Sequence, residues 1–595
     1  MGYQMDDVIE RALEMVEECP VIAYDTETNG VDWKRCEVVG YVITSEDESL
    51  YIPVRHGGGA NISNATKFEK ALAEAFRIRS ERGFVTVMHN AKFDIHMSLN
   101  HGIMIGAPVE DTAINEALIY ELYGSYSLDA CCQRYNVPQK MGTDLYNHLA
   151  DLFGGPADRK QMGNYWKLSG DDKLAVEYAV ADGVSTLALW REQQNKLDAN
   201  NLWSVHRIES DLIPEIVWIE RRGIKIDEER VNSIVSELEG QIAERMATLP
   251  KDFNVRSPSQ IKAYVGAAGR CDWPVTEKGN PSFTKKWLNS FEEGKRIIDI
   301  RERSNLINSF AQPLIERHTF NGRVHCQLHQ MKQDEYGTIS GRFSSSDPNL
   351  QQVPKANKEL GALIRSCFIP DDGFAFYEAD YSQCEPRLFA HYTEAPYLVE
   401  GYNAVPPRDM HATVAELLGV ERDPTAKRMN MGLLTGMGIN ALAGHMGWDR
   451  AYTKGMYEKY FAQMPELRKF SKHAAAVFES RGYVRTLLGR RCHLEHRSYS
   501  YRAVSRIIQG GNADITKYKL LTACRYAREH NHRIQMLMTV HDSFEFQAED
   551  TPEGHKIAMD MIEILSDVRS EPFNLSVPFK MDVHKGKNWK EATYG

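Results

Sequence analysis

The sequence predicts an α/β chain, and three observations carry that expectation. Over residues 1 to about 200, short apolar runs such as VIAYD, YVITS and FVTVMHN alternate with stretches of helical periodicity, the pattern of a sheet flanked by helices. From about residue 205 the chain turns helical and charged, as in DEERVNSIVSELEGQIAERMATL, which reads as a long amphipathic helix pair. Strand-like runs return after residue 320 in HTFNGRVHCQLHQ and FAFYEAD, a helical region follows from about 410 to 480, and MLMTVHDSFEFQ reads as a β-hairpin whose strands meet at His541-Asp542.

At 595 residues the chain exceeds what one core organises, and roughly three to five domains or subdomains are expected, room for more than one active site. No stretch approaches the ~18 uninterrupted apolar residues of a membrane span, and the start MGYQMDDVIE lacks the basic and apolar regions of a signal peptide. Asp6 stands where a myristoylation signal carries Ser or Thr. A cytoplasmic protein with no membrane partner is expected. Ten cysteines without a C-x-x-C pair exclude a structural zinc site or a disulfide framework and are expected reduced and buried. The net charge of −11 does not itself suggest a nucleic-acid partner, whose footprint is a basic surface. A global sum can hide a basic cleft, however, and clustered acids can be metal ligands. Gly57-Gly58-Gly59 lacks the Gly-Lys-Ser/Thr ending of a phosphate-binding loop and reads as a flexible turn.

The run VIAYDTETNG ends in two acids one residue apart. Strand alternation puts Asp25 and Glu27 on one side, where they repel unless a cation sits between them, and for oxygen ligands a hard ion such as Mg²⁺ or Mn²⁺ is the natural candidate. Taken alone, a solvated strand end entering an Asn-Gly turn explains the pair as well. Downstream lie HNAKFD, with Asn90, Phe93 and Asp94, and YAVAD, with Tyr178 and Asp182 four residues apart on one helix face. Four carboxylates and a tyrosine can hold two ions ~3.5–4 Å apart, the arrangement that activates water for phosphodiester hydrolysis. The order D-x-E, N-x-x-x-F-D, Y-x-x-x-D resembles the four-acid-plus-tyrosine 3′–5′ exonucleases, a likeness that EDTAINEAL around Asp111 and YSLDACCQRY around Leu128 extend over most of the first 200 residues. The resemblance implies that Asp25, Glu27, Asp94 and Asp182 bind metal and that Tyr178 orients the attacking water.

A second pair of acids lies further on. Asp380 ends the apolar run of FYEADYSQCEPRLFAHY, and Asp542 sits in the turn of MLMTVHDSFEFQ; a turn or cap residue is the plain reading of either alone. On adjacent strand ends, two aspartates can hold two Mg²⁺ ions around a triphosphate and a primer hydroxyl. The surrounding stretches TISGRFSSSDPNLQQVP (338–354), DYSQCEPR, RDMHATVAELLG, AKRMNMG, GYVRTLLGRR, IIQGGNADITK, VHDS and VPFKMDVHKGKNW resemble, in order, those of family A DNA polymerases of the DNA polymerase I and phage replicase type. The fold so implied is a ribonuclease H-like exonuclease domain, 1–204, followed by a right-hand polymerase domain, 205–595. Within that domain the palm takes 205–230, 318–405 and 501–595, the thumb 231–317 and the fingers 406–500.

The resemblance implies two Mg²⁺ (or Mn²⁺) ions per active site, with Asp380, Asp542 and the backbone carbonyl of Tyr381 as ligands. It places Lys427 and His411 at the triphosphate, Glu385 as the gate against a ribose 2′-hydroxyl, and Gln383, Arg422, Met431 and Thr435 around the nucleotide. Arg342, Asn349, Gln352, Arg365, Gln509 and His541 would meet the primer-template, although Arg365 also reads as a surface ion-pair arginine. Primer-template DNA and dNTPs are the implied partners of a monomer, with a replisome or processivity factor possible in principle. Four positions depart from the family pattern. Met431 and Thr435 replace aromatic residues, Asp423 stands where an arginine is usual and Ser543 where a glutamate is usual. Asp423 and Pro424 would cap and open the nucleotide helix, leaving Arg422 just outside it. Met431 either packs beside the incoming sugar or points into the core. A tyrosine at that position is associated in the family with ready acceptance of dideoxynucleotides. Because Asp25 comes so early, no preceding 5′-nuclease domain is expected. The rival readings are a nuclease with a decayed polymerase domain and a non-catalytic DNA-binding protein.

Overall fold

A computed structural model describes residues 5–139, 142–353, 355 and 359–595, without the side chains of 423 and 424. Its N-terminal region is built on a five-stranded sheet in the order Ser49–Pro53, Val38–Thr44, Val21–Thr28, Val85–Met88, Val109–Asp111. The first three strands are antiparallel and the last two run parallel to Val21–Thr28. On the central strand Val85–Met88 reaches only Val21, Ile22 and Ala23, so beyond Ala23 the acid-bearing end of that strand has one edge open to side chains. The long helix Lys173–Ala199 packs across this sheet. Gly183 makes the close approach possible, because a Cβ there would sit 2.2 Å from the Thr44 hydroxyl oxygen.

The helix Trp203–Arg222 joins two hydrophobic cores. Val205, Ile213 and Val217 lie in the N-terminal core, whereas Ile208, Leu212, Ile216 and Ile219 lie in the large core of the remaining chain. Two apolar stripes on one helix let it pack into both cores at once. The charged segment after it forms one helix, Glu228–Met246, which corrects the expectation of a pair within that stretch; the short strand Ile224–Ile226 divides it from Trp203–Arg222. Glu228–Met246 packs against Glu292–Leu306, and a separate small core gathers at the far end of the pair.

The C-terminal half centres on an antiparallel sheet ordered Ile534–Val540, Ser543–Glu549, Phe374–Tyr381, Met581–Gly586. The hairpin expected at His541-Asp542 is present, with His541 at φ +59° in the tight turn. The helix Ala503–Glu529 crosses behind it, almost wholly buried. Gly510 lets that helix in, since a Cβ there would lie 2.5 Å from the Thr486 methyl. All ten cysteines are free. Cys271 is exposed and Cys19 and Cys36 are half-buried, which corrects the expectation that all are buried. Among the described residues no helix is long and apolar enough to cross a membrane.

Candidate active sites

The sheet and the long helix together assemble the first site. Asp25 and Glu27 face the same side of the central strand, and Glu27 lies opposite Gly40, where a Cβ would collide with the Tyr51 ring. The approach at Gly183 brings the neighbouring Asp182 onto them. Ligand oxygens of Asp25, Glu27 and Asp182 all lie within 4.8 Å of one another, so three carboxylates converge as hard oxygen donors for a divalent ion. Tyr178 is buried one turn before Asp182, and burial, with Asp182 beside it, pushes its phenol well up.

Asp94 lies beside this cluster and outside it. It lies in the first turn of the helix Ala91–Asn100, a turn fixed by Asn90 in the left-handed conformation and by Asp111, which accepts from the Asn90 and Ala91 amides at 3.1 and 2.8 Å. One carboxylate oxygen of Asp94 takes both the Thr26 amide (2.9 Å) and the Thr26 hydroxyl (2.7 Å) at the open strand edge. Burial and the nearby Asp25 push the Asp94 carboxyl well above the usual range.

In the second site the cross-strand register sets Asp380 opposite Ser543 on one side and Asp582 on the other, while Asp542 occupies the adjoining turn. The Tyr381 amide donates to the Asp542 carbonyl at 3.4 Å. Both aspartates are engaged by the protein itself. The Lys355 ammonium donates to Asp380 Oδ2 at 3.0 Å and to Glu378 Oε1 at 2.9 Å. Asn512 donates to Asp542 Oδ1 at 2.6 Å, and the Arg342 guanidinium lies 3.7 Å from the same oxygen. Burial raises the Asp380 carboxyl; Lys355 opposes that shift without cancelling it. Glu378 and Glu545 face each other across the register beneath this layer, and burial together with Glu378 holds the Glu545 carboxyl well above its ordinary value.

The expected nucleotide residues fall in two groups. Lys427, Met431 and Thr435 line one open groove of about 670 Å³ with Arg428, Met437 and His445, so Met431 faces the groove and not the core. Gln383, Arg422 and His411 gather around the helix cap Asp409. Gln383 donates to Asp409 at 3.2 Å and Arg422 pairs with it at 2.6 Å, while the buried His411 ring meets the Asn430 amide at 3.1 Å. Arg422 begins a wide π-type turn, Arg422–Ala426, that runs into the helix Lys427–Leu434, which places it in the helical path and corrects the expectation of a residue outside it. The expected cap, Asp423, and Pro424 lie outside the described side chains. Glu385 is ion-paired with Arg342 at 2.6 Å.

Among the residues expected to meet DNA, Gln509 is half-buried on the Ala503–Glu529 helix and His541 is exposed in the turn. Asn349 and Gln352 line a cavity of about 440 Å³ beside Phe310 and His318; the last residue of their motif, Pro354, lies outside the described residues. Arg365 is the clear correction. It is 2% exposed, stacks 3.9 Å over the Trp589 ring and approaches Glu378 at 3.5 Å and the Thr593 hydroxyl at 3.0 Å. It is not a surface arginine: it is buried under the sheet against Trp589, Glu378 and Thr593. Sequence reasoning passed over Lys355, Glu378 and Asn512. Only Asn512 carried a signal, its place in IIQGGNADITK.

Comparison with known proteins agrees with this geometry. The profile of DNA polymerase family A matches residues 224–591 and that of a 3'-5' exonuclease matches residues 3–198. The DNA polymerase DpoZ of Acinetobacter phage SH-Ab 15497 is 31% identical, over 98% of this chain and 99% of its own, and that of Vibrio phage phiVC8 is 28% identical over 96% of each. DNA polymerase I of Rhizobium leguminosarum is 27% identical over 96% of this chain and 59% of its own. The solved POL domain of Pol1 from M. smegmatis, in complex with DNA primer-template and dNTP, shares the fold with a TM-score of 0.81, at 22% identity and full coverage of both chains. The chain belongs to DNA polymerase family A and carries a 3′–5′ exonuclease domain ahead of the polymerase domain.

Proposed function

We propose that the protein extends a primer on a DNA template by two-metal nucleotidyl transfer from dNTPs and removes primer 3′ ends at a separate two-metal exonuclease site, in phage DNA replication. The observation that carries this reading is the presence, in one chain, of the Asp25–Glu27–Asp182 cluster, the Asp380–Asp542 rim and the Lys427–Thr435 groove. In the exonuclease site Asp25, Glu27 and Asp182 would hold one ion, and Asp94, whose second oxygen is not used by Thr26, would help hold another. In the polymerase site Asp380, Asp542 and the Tyr381 carbonyl would hold both ions. Bound Mg²⁺ or Mn²⁺ supplies charge neutralisation and a lowered pKa at the attacking oxygen.

The protein's own groups do the rest. Lys427, exposed at one end of the groove, is a point charge suited to a triphosphate. Glu385, steadied by Arg342, fills space beside the nucleotide sugar. Tyr178, kept protonated by its burial, is a hydroxyl donor that orients water in front of Asp182. The proposed domains are 1–204 and 205–595, with palm, thumb and fingers divided as the sequence suggests. Primer extension with a labelled oligonucleotide and four dNTPs tests the reading. Elongation with the ladder of 3′ degradation in the absence of dNTPs is the expected result, whereas degradation alone, or binding alone, overturns it.

A further inference from the structure

Between residues 481 and 506 the chain carries seven arginines and a single acid, Glu495, in a protein of net charge −11. The structure spends some of these cations internally. Arg490 is buried on Glu209 and Asp514, and Arg485 and Arg491 bind Asn200. The turn Arg497–Arg502 is different, because its charge and its aromatic surface both face outward. Tyr499 is 37% and Tyr501 51% exposed, and their rings meet edge to face at 6.4 Å. The Arg502 guanidinium lies 4.4 Å over Tyr499 and 5.5 Å over Tyr501, and donates to the Tyr501 hydroxyl at 3.1 Å. His496 adds a ring 6.3 Å from Tyr499. Aromatic faces edged by arginine are the means by which single-stranded nucleic acid is held without regard to sequence: bases stack and phosphates meet the charge.

Position decides what such a surface serves. Ser500 is anchored to Glu479 at 2.7 Å, and Ser505 donates to the Thr435 carbonyl at 3.2 Å. Gly436 packs beside the Tyr501 carbonyl, where a Cβ would make ordinary contact at 3.4 Å. The turn is therefore fixed to the Thr435 end of the nucleotide groove, opposite the end where Lys427 stands for the phosphates. From Lys427 to Thr435 the helix rises about 12 Å, so the Thr435 end is the base end, where a template strand must enter.

We propose that Tyr499 and Tyr501, with Arg502 and Arg497, form a stacking platform for the unpaired template strand just ahead of the templating base. The proposal rests on the polymerase reading and adds to it a binding subsite for single-stranded DNA. It predicts that affinity depends on overhang length. The full-length protein is titrated with primer-templates that carry either a single-nucleotide 5′ overhang or a long one of about eight nucleotides, within the range such surfaces occupy. Tyr499→Leu with Tyr501→Leu is expected to weaken binding of the long-overhang duplex by roughly tenfold or more, a stacking-sized loss, and to leave the single-nucleotide duplex unchanged. Tyr499→Phe with Tyr501→Phe should retain wild-type binding of both. As a second readout on the unaltered protein, 2-aminopurine placed in the unpaired template should lose fluorescence on binding as it stacks. Equal losses on both duplexes, no loss on either, or no fluorescence change overturns the platform. Failure of the wild type to extend the single-nucleotide template would instead strike at the polymerase reading.

Discussion

The two carboxylate sites solve the same electrostatic problem in opposite ways. At the N-terminal site Asp25, Glu27 and Asp182 are pressed within 4.8 Å of one another by a strand and by a helix that a glycine lets close in. At the C-terminal site each aspartate is already engaged: Asp380 by the Lys355 ammonium, Asp542 by Asn512 and the nearby Arg342. Converging anions are costly unless a cation joins them. On the proposed reading the first site is preassembled for metal, whereas in the second Lys355 and Arg342, each shared with a neighbouring glutamate, already engage the acids. A hydrolytic site needs only a strand end.

The sharpest way to break this comparison is to disable one site at a time. Asp380→Asn or Asp542→Asn should reduce extension on the order of 10³-fold or more and leave primer degradation intact, and Asp25→Ala with Glu27→Ala should do the reverse. Rates of both reactions from each folded variant decide it, and loss of both from either variant contradicts two independent sites.

The joint between the regions gives the next effect. Glu220 of the shared helix accepts from Lys92 and from His96 at 2.5 and 2.7 Å and from the Leu328 amide at 2.6 Å. Burial alone would raise its carboxyl, but Lys92 and His96 outweigh that and hold it at about 2. Burial lowers the His96 imidazole, so the charge pair is Lys92 with Glu220. A carboxyl depressed in the folded state stabilises above its unfolded pKa of ~4.3, and that stability is lost as pH falls from there towards 2. Glu220→Gln should cost about 3–5 kcal/mol near neutral pH, the cost of stranding a buried partner, and should flatten this acid limb in denaturant titrations.

A smaller effect concerns Lys355. Lys355→Met removes a competing charge 3.0 Å from Asp380 and should raise the affinity of the polymerase site for Mn²⁺ without DNA on the order of tenfold, as read by calorimetry; unchanged affinity would show that Lys355 does not guard the site. Smallest in reach is Met431, which lines the groove with Lys427 and Thr435. Its thioether offers dispersion contact but no hydroxyl. Met431→Tyr should weaken discrimination against dideoxynucleotides by about tenfold, and an unchanged ratio of ddTTP to dTTP incorporation would show that residue 431 does not meet the sugar.

What the sequence made legible follows the same division. Asp25, Glu27 and Asp182 are legible because periodicity puts each on a shared face and the order of their motifs resembles the exonucleases; Lys427, Met431 and Thr435 are legible because their spacing puts all three on one face of a helix that resembles the family's nucleotide helix. Asp94 was grouped with the ligands, although its place is decided by an open strand edge that only the sheet pairing creates. Arg365 was misread because its burial depends on Trp589, more than 200 residues away in the chain. Lys355 and Glu378 went unnoticed for a similar reason: their importance arises from a cross-strand register and a return of the chain, which no local pattern records.

The most direct test of the contrast is Mn²⁺ binding to the DNA-free protein, followed by electron paramagnetic resonance in the wild type and in the two site variants. The account predicts that Asp25→Ala with Glu27→Ala abolishes the tighter binding, while Asp380→Asn with Asp542→Asn leaves it unchanged. Loss of that binding in the Asp380 and Asp542 variant, with retention in the Asp25 and Glu27 variant, would contradict it.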